Sequence, residues 1–222
     1  MAHRVLLIND DAFELTILAD AMRLRGKNVV GEAHTRVAAQ NLFSTLKPEV
    51  VVIDALFDGS DGINLAKKMR KENESLGVVL TTACPDLRLL GLIEKDLPIG
   101  TQVVLKRSLS DLNILCVAVP ASVEAISRNE RTQWVNRFIS PNEKSFLAIA
   151  GLLTDIQAET LRLVASGMSN GEIGRKRFVS EKSVEQIVAR IASQLGIAPD
   201  RSRNLRVLLT NEYNKWIGSP RH

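Results

Sequence analysis

The segment from Leu153 to Ile197 constrains this chain most, because it holds start and stop signals for three consecutive helices. Each helical pattern is preceded by a residue type that commonly caps helices, namely Thr154, Ser169 and Ser180. The first and third patterns are followed by a glycine, Gly167 and Gly196. The third pattern places apolar residues at the spacing of one buried stripe: Val184, Ile187, Val188, Ile191, Ala192 and Leu195. Two brief helices before a longer one predict a helix-turn-helix.

The third helix of this pattern leaves a polar outer face, made of Lys182, Ser183, Glu185, Gln186, Ala189 and Arg190. Such side chains suit the DNA major groove: Gln pairs with adenine, Glu accepts from the cytosine amino group, and Arg or Lys binds phosphate or guanine. Basic residues flank the helix on both sides: Arg175, Lys176, Arg177, Arg201, Arg203 and Arg206. We therefore predict that these six face residues contact DNA. The competing interpretation is a small helical interaction domain with a solvated charged face.

This segment resembles the DNA-binding domain of LuxR/NarL/FixJ-type transcription regulators. The matching positions are Leu153, Thr154, Leu161, Leu163, Gly167, Ser169, Asn170, Glu172, Ile173, Ser180, Lys182, Ser183, Val184, Leu195 and Gly196. Gln157, Gly174 and Ile187 depart from the Glu, Ala and His that are common in that family. The resemblance implies a homodimer that binds double-stranded promoter DNA through the helix near 181–195. It also implies dimerisation through a helix over Ser202 to Trp216, for which packing onto the DNA-binding domain is the alternative.

Length and charge divide the chain into two parts. Its 222 residues leave room for two domains, each with its own core. Residues 1–118 carry 14 Lys or Arg and 15 Asp or Glu, whereas residues 119–222 carry 15 and 10, which assigns nucleic acid to the rear part. No apolar run approaches the ~18 residues of a membrane span, and two cysteines outside any metal-binding spacing suit a cytoplasmic protein without membrane contact. We predict one domain over 1–118, a partly helical linker over 119–150, and the helix-turn-helix domain over 151–222.

The first 118 residues alternate short apolar runs with amphipathic stretches. The predicted strands are Val5–Ile8, Asn28–Gly31, Val50–Ile53, Val78–Thr81 and Gln102–Leu105. The predicted helices are Phe13–Leu24, Arg36–Leu46, Gly62–Arg70, Asp86–Ile93 and Ser110–Val117. Five strand-helix repeats predict an α/β doubly wound, flavodoxin-like fold with a five-stranded parallel sheet. Its ligand site is expected at the carboxyl ends of the strands, where the strand order reverses.

Polar residues occupy those strand ends: Asn9, Asp10, Asp11, Asp54, Thr81, Thr82 and Lys106. Carboxylates from neighbouring strands can share Mg²⁺, which prefers oxygen ligands. A hydroxyl and an ammonium group beside them would bind a phosphoryl group. Singly, each residue has an ordinary explanation as a loop cap, a strand threonine or a solvated lysine. Their joint position at one edge of the sheet favours a site.

This part resembles a response-regulator receiver domain. The resemblance implies that Asp54 is the phosphoacceptor, with Thr82 and Lys106 as the phosphate-binding switch residues and Thr81 as the runner-up for Thr82. It implies Mg²⁺ held by Asp10, Asp54 and the backbone carbonyl of Leu56, with Asn9 or Asp11 as the remaining ligand. Gly59, Asp61 and Gly62 fit the usual loop after the acceptor. A sensor histidine kinase would then donate the phosphoryl group, and Asp54 would be its nucleophile.

Three departures from the receiver pattern favour an alternative. Asn9 replaces an acid, Asp58 stands where proline is common and brings an extra negative charge close to Asp54, and Val103 replaces an aromatic residue. The alternative is an atypical orphan regulator whose receiver-like domain is controlled by a protein or ligand without phosphorylation. An enzyme is not predicted, because a phosphatase of this sheet type would carry a second Asp where Leu56 stands.

Overall fold

The computed structural model describes residues 2–60, 62–135, 148–198 and 202–217. Asp61 of the acceptor loop, Arg201 of the basic flank and the central part of the predicted linker lie outside these residues. Two compact units make up the chain. The first consists of Met1–Thr82 and Glu94–Phe138, and the second of Ala83–Ile93 and Ile139–His222.

The first unit is built on a parallel sheet with the strand order β2-β1-β3-β4-β5-β6. Its strands are β1 (Arg4–Ile8), β2 (Asn28–Ala33), β3 (Val50–Asp54), β4 (Gly77–Thr82), β5 (Gln102–Leu105) and β6 (Gln133–Trp134). The predicted doubly wound parallel sheet is thereby confirmed. The sixth strand was missed because a strand of two residues carries no readable alternation. Strands β3, β4 and β5 are buried along their whole length, which explains their near-continuous apolar sequences.

Four helices of the first unit cover the sheet: α1 (Ala12–Leu24), α2 (Arg36–Leu46), α3 (Gly62–Glu72) and α4 (Asn113–Ser127). A short helical turn, Phe57–Ser60, precedes α3. Helix α4 runs past the expected end at Val117 and across residue 118, into the stretch predicted as a partly helical linker. Pro120 lies inside α4, whereas a proline usually marks the end of a helix, which explains why the predicted helix stops at Val117.

The prediction of a helix over Asp86–Ile93 is wrong. Two short 3₁₀ helices stand between β4 and β5, at Leu87–Leu90 and Glu94–Asp96. Gly91 adopts φ +74° and its N–H donates to the carbonyl of Arg88, so the first of them ends after one turn. This turn belongs to the second compact unit.

The second unit contains α5 (Asp155–Ala165), α6 (Asn170–Arg177), α7 (Glu181–Gln194) and α8 (Leu205–Ile217). Each predicted cap is observed, because the side chains of Thr154, Ser169 and Ser180 accept hydrogen bonds from the first turns of α5, α6 and α7. The apolar stripe of α7 is buried at Val184, Val188, Ile191 and Ala192. These helices form the predicted helix-turn-helix, and α8 packs against α5.

Candidate functional site

Asp54 ends β3 and is buried, with 5% of its surface exposed. One carboxylate oxygen, Oδ1, accepts a hydrogen bond of 2.9 Å from the N–H of Leu56. The other, Oδ2, lies 2.5 Å from Nζ of Lys106, which directly follows β5. Thr81 lies opposite Asp54 in the register of β3 and β4, and Thr82 follows it as the last residue of β4. The structure therefore brings the predicted acid, hydroxyl-bearing strand end and ammonium group to one edge of the sheet.

The Lys106 ammonium group also binds Glu14, whose Oε2 lies 2.7 Å from Nζ. Glu14 belongs to the first turn of α1. Sequence reasoning missed Glu14 because it does not lie at the end of a strand. Acidic residues are also common in the first turn of a helix, so its position there gives no signal. Lys106 thus bridges two carboxylates, so the pocket holds a chain of three alternating charges.

Burial and these charges act against each other on the acceptor carboxyl. Burial raises the pKa of Asp54, and the opposing effects of the Lys106 ammonium and of the hydrogen bond from Leu56 do not cancel that rise. Glu14 adds to the rise as a nearby like charge. For Lys106, burial lowers the pKa, but Asp54 and Glu14 raise it more, so the group stays cationic. Lys106 therefore offsets part of the cost of burying the Asp54 carboxylate.

The loop between β1 and α1 is held by its own side chains. Asn9 is buried, and its Oδ1 accepts a hydrogen bond of 3.0 Å from the N–H of Asp11. Asp11 in turn caps α1, accepting a 2.9 Å hydrogen bond from the N–H of Glu14. Asp10 is exposed between them. Within the described part of the chain, Nδ2 of Asn9 is buried without a hydrogen-bond partner.

Receiver domains, which this part of the chain resembles, generally bind Mg²⁺ in an acidic pocket. Among the described residues no group of three or more His, Cys, Asp or Glu side chains converges as a metal site. Mg²⁺, however, keeps several waters and needs only one or two carboxylates. Ile8 lies opposite Ile53 in the sheet, so Asp10 and Asp54 lie at the ends of neighbouring strands. Together with the Leu56 carbonyl they are oxygen donors of the right chemistry, and the residues fit the ion.

The loop after Asp54 differs from expectation at Asp58. Its carboxylate lies 2.6 Å from Nε of Arg36, so a cation of α2 balances the extra charge that the sequence places near the acceptor. The backbone at Gly62 lies close to that of Asp54. A β-carbon at this position would lie 2.1 Å from the carbonyl oxygen of Asp54. A glycine is therefore required where the backbone returns past the acceptor.

In the second unit, α7 presents the predicted polar face to solvent. Its exposed residues include Lys182, Glu185, Gln186, Ala189 and Arg190. Ser183 differs, since it is half-buried and its Oγ lies 2.8 Å from Oγ of the capping Ser180. Five of the six predicted contact residues can therefore reach a ligand as they stand, and the hydroxyl of Ser183 is engaged within the helix cap.

Some of the basic residues that flank α7 form contacts within the protein that would hinder binding to a ligand. Arg177 donates a 2.6 Å hydrogen bond to Oγ1 of Thr160 and pairs with Glu159 at 3.3 Å. Arg206 donates to Asn170 Oδ1 at 2.6 Å and to the carbonyl of Met168. These two cations tie helices together, whereas Arg175 and Lys176 are exposed.

Two departures from the LuxR-type pattern have a structural reason. The N–H of Thr154 donates to Gln157 Oε1 at 2.8 Å and the N–H of Gln157 donates to Thr154 Oγ1, so an amide completes the capping box that the usual Glu would form. At Gly174, a β-carbon would lie 2.7 Å from the carbonyl oxygen of Val179, so the turn approaches α6 more closely than alanine would permit.

A further residue that sequence reasoning missed is Arg88, in the 3₁₀ turn of the second unit. Its guanidinium donates to Asp86 at 2.8 Å and to Asp155 at 3.0 Å. It also donates to two backbone carbonyls, those of Ala150 at 2.9 Å and Leu153 at 3.0 Å. The neighbouring turn is bound as well, because Tyr213 Oη donates to the carbonyl of Leu89 at 2.7 Å. The turn is therefore an integral part of the unit that contains α5 and α8.

Two known protein families match separate parts of this chain. The model of the response regulator receiver domain matches residues 5–91, and the model of bacterial regulatory proteins of the luxR family matches residues 152–202. The chain is a response regulator with a luxR-type domain. Lys106 lies beyond the stretch that the receiver model matches, but the structure places it against Asp54.

Relatives of this response regulator match most of its length. The transcriptional regulatory protein LiaR of Bacillus subtilis is 27% identical over 90% of this chain and 93% of its own. The response regulator protein VraR of Staphylococcus epidermidis is 26% identical over 96% and 99%. Among solved structures, RcsB of Salmonella enterica bound to the promoter rprA has a TM-score of 0.53 at 22% identity, covering 99% of this chain and 100% of that one. The last likeness supports the fold.

Within the described ranges, none of the helices has the length and apolar content to cross a bilayer.

Proposed function

We propose that this response regulator binds promoter DNA through the exposed face of α7 and is controlled by phosphorylation of Asp54 by a sensor histidine kinase. The observation that carries the proposal is the buried Asp54 carboxylate, held 2.5 Å from Lys106 at the strand edge where a receiver has its acceptor. In this proposal residues 1–118 are the receiver, 119–150 the linker and 151–222 the DNA-binding domain, in a cytoplasmic protein that is not an enzyme in its own right.

The geometry gives each pocket residue a task. A carboxylate oxygen of Asp54 would attack phosphorus, forming the P–O bond while the P–N bond to the kinase histidine breaks and the imidazole nitrogen takes up a proton. Lys106 would bind the transferred phosphoryl oxygens, and the Thr82 hydroxyl would donate to one of them. Mg²⁺, when held by Asp10, Asp54 and the Leu56 carbonyl, supplies neutralisation of the charge that develops in transfer.

Phosphorylation is tested by incubating the full chain with acetyl phosphate and Mg²⁺ and measuring intact mass. We expect the parent protein to gain the mass of one phosphoryl group and Asp54→Asn to gain none. Asp58→Asn is the matched control, because it removes a neighbouring carboxylate that is paired with Arg36, and it should still be phosphorylated. Uptake by Asp54→Asn equal to the parent would show that the acceptor is another residue.

DNA recognition is tested on the exposed face of α7 with promoter fragments selected by genomic footprinting. We expect Glu185→Ala and Gln186→Ala to relax sequence preference with a loss of ~1–3 kcal/mol per base contact. Arg190→Ala should weaken all sequences alike and reduce the salt dependence, because it would contact phosphate. Ser193→Ala, exposed on α7 but after the six proposed contact residues along the helix, is the control. Parent-like binding by all three variants would show that α7 does not read DNA.

The relatives support DNA as the partner and a dimer as the binding form. Solved structures include RcsB bound to promoter DNA and two RcsB dimers bound to two parallel DNAs. In this chain α8 packs against α5, and its Val207 is exposed. We include homodimerisation in the proposal, and sedimentation of the full chain with and without acetyl phosphate would measure it.

A second candidate is control of the same DNA-binding unit by a protein or ligand without phosphoryl transfer. The observations that favour it are the uncharged Asn9 after β1 and the occupation of Lys106 by Glu14. In that case the parent protein gains no phosphoryl mass under the conditions above, yet binds promoter DNA.

A further inference from the structure

We propose that Glu14 is an internal competitor of the phosphoryl group: its carboxylate holds the Lys106 ammonium group while Asp54 is unmodified and must give it up when Asp54 is phosphorylated. The inference rests on the proposed role of Asp54 as phosphoacceptor and concerns the regulation of that site. Glu14, in the first turn of α1, would then set the rate at which Asp54 is phosphorylated.

The distances define the competition. Lys106 Nζ lies 2.7 Å from Glu14 Oε2 and 2.5 Å from Asp54 Oδ2. An ammonium group has three donors, so two of the three are already engaged by carboxylates. Lys106 and Glu14 retain side-chain exposures of 24% and 28%, which leaves both able to rearrange, whereas Asp54 is almost fully enclosed at 6%.

Glu14 is held in this position by the loop before it. Asp11 caps α1 by accepting a hydrogen bond from the N–H of Glu14, and Asn9 accepts one from the N–H of Asp11. The first turn of α1 is therefore tied to the end of β1, beside β3 and Asp54. An acid is also favoured in a first helical turn, where the N–H groups point outward. This local structure fixes the backbone position from which the Glu14 carboxylate reaches Lys106.

The contact between Lys106 and Glu14 becomes unfavourable once Asp54 is phosphorylated. Phosphorylation replaces the singly charged Asp54 carboxylate by an acyl phosphate with a charge of about −1.5 to −2 and three strong acceptor oxygens. Those oxygens need the same ammonium group, and the Glu14 carboxylate would then stand beside a like charge. In the reaction with acetyl phosphate, an Asp54 oxygen forms the new P–O bond, the bond from phosphorus to the acetyl oxygen breaks, and acetate leaves with that electron pair. Glu14 takes no part in this exchange, so it acts as a positioning residue through Lys106.

The first experiment compares the full-length parent with Glu14→Gln, which keeps the size of the side chain and removes its charge. With acetyl phosphate and Mg²⁺ we expect the initial rate of phosphoryl uptake, read by intact mass, to rise roughly three- to tenfold, as removal of one screened like charge would cause. Glu32→Gln is the matched control, since Glu32 has the same 28% side-chain exposure and pairs with Arg23 at 2.6 Å, away from Lys106. Its rate should equal that of the parent.

A second measurement tests the ion pair without phosphate or metal. Acetylation of Lys106 by N-hydroxysuccinimidyl acetate, quantified on the Lys106 peptide by mass spectrometry, should be faster in Glu14→Gln than in the parent and in Glu32→Gln. A merely structural role for Glu14 would slow phosphoryl uptake or leave it unchanged.

Each combination of results either supports or overturns the competitor role of Glu14. Faster labelling together with faster phosphoryl uptake supports the competitor role. Equal labelling of Lys106 overturns it, because the pair is then not formed. Faster labelling with parent-like uptake overturns it as well, because Glu14 then does not compete. If the folded parent and Glu14→Gln both gain no phosphoryl mass, the proposed phosphoacceptor role of Asp54 fails and the competitor role falls with it, a result recognised by the unreactive parent.

Discussion

Replacing Lys106 with methionine is expected to lower the free energy of unfolding of the first unit by about 3–5 kcal/mol at neutral pH. The substitution leaves the buried Asp54 carboxylate and the half-buried Glu14 carboxylate facing each other without their shared cation. Removal of one partner from such a group costs far more than the pair contributes, because the remaining charge stays desolvated. Lys68→Met, at an exposed position of α3, is the control and should change stability little.

The effect should depend on pH in a definite direction. Burial already raises the pKa of Asp54 above its ordinary 3.8 in the parent, so the folded state binds this proton more tightly than the unfolded state does. The stability from that proton is fully present below 3.8 and is lost as pH rises through the raised folded value. Without Lys106 the pKa of Asp54 rises further, so the loss at neutral pH grows. The difference between Lys106→Met and the parent should therefore shrink as pH falls toward 4.

The two tryptophans allow this measurement to be assigned to one unit. Trp134 lies in β6 of the first unit and Trp216 in α8 of the second. Urea unfolding followed by fluorescence in a Trp216→Phe background reports the first unit through Trp134. A double variant, Asp54→Asn with Lys106→Met, should regain much of the loss, because one of the two stranded charges is gone. A penalty that is the same at pH 4 and pH 7 would contradict the electrostatic explanation.

The acceptor pocket shows what a sequence can predict of a site. Asp54, Thr82 and Lys106 were predictable because parallel strands end at one edge of the sheet, so residues directly after strands converge there. Glu14 and Arg36 were not, because they lie on helices and their contacts depend on side-chain reach across the sheet edge. Periodicity predicts which face of a helix is buried, but it does not state which acid of a first turn meets a lysine 92 residues later.

The helix-turn-helix could be predicted more completely because its signals are local. Caps, glycine stops and the α7 stripe all act within a few residues, and the structure reproduces each of them. The same reasoning failed over 86–93, where apolar residues at helical spacing predict a helix. There Gly91 ends the first turn, and contacts with residues more than 60 positions away determine the conformation.

Those contacts make Arg88→Ala the second large expected effect, a loss of about 2–3 kcal/mol from the stability of the second unit. The guanidinium satisfies the carbonyls of Ala150 and Leu153 and pairs with Asp86 and Asp155. These carboxylates hold the pKa of Arg88 above its ordinary value. Hydrogen bonds to a charged group contribute about 1.5–3 kcal/mol each, and the sum is reduced here because 31% of the side chain reaches solvent.

Arg88→Lys separates geometry from charge in the same position. Lysine keeps the cation but offers a single ammonium group, which cannot reach two carbonyls and two carboxylates in the planar arrangement of a guanidinium. Its stability should therefore fall between parent and Arg88→Ala, when unfolding is followed through Trp216 in a Trp134→Phe background. Tyr213→Phe removes only the hydrogen bond to Leu89 and should cost about 1 kcal/mol in the same assay. If Arg88→Ala instead unfolds like the parent, the 3₁₀ turn does not contribute to the stability of the unit that contains α7, and the stability of the DNA-binding unit comes from α5 to α8 alone.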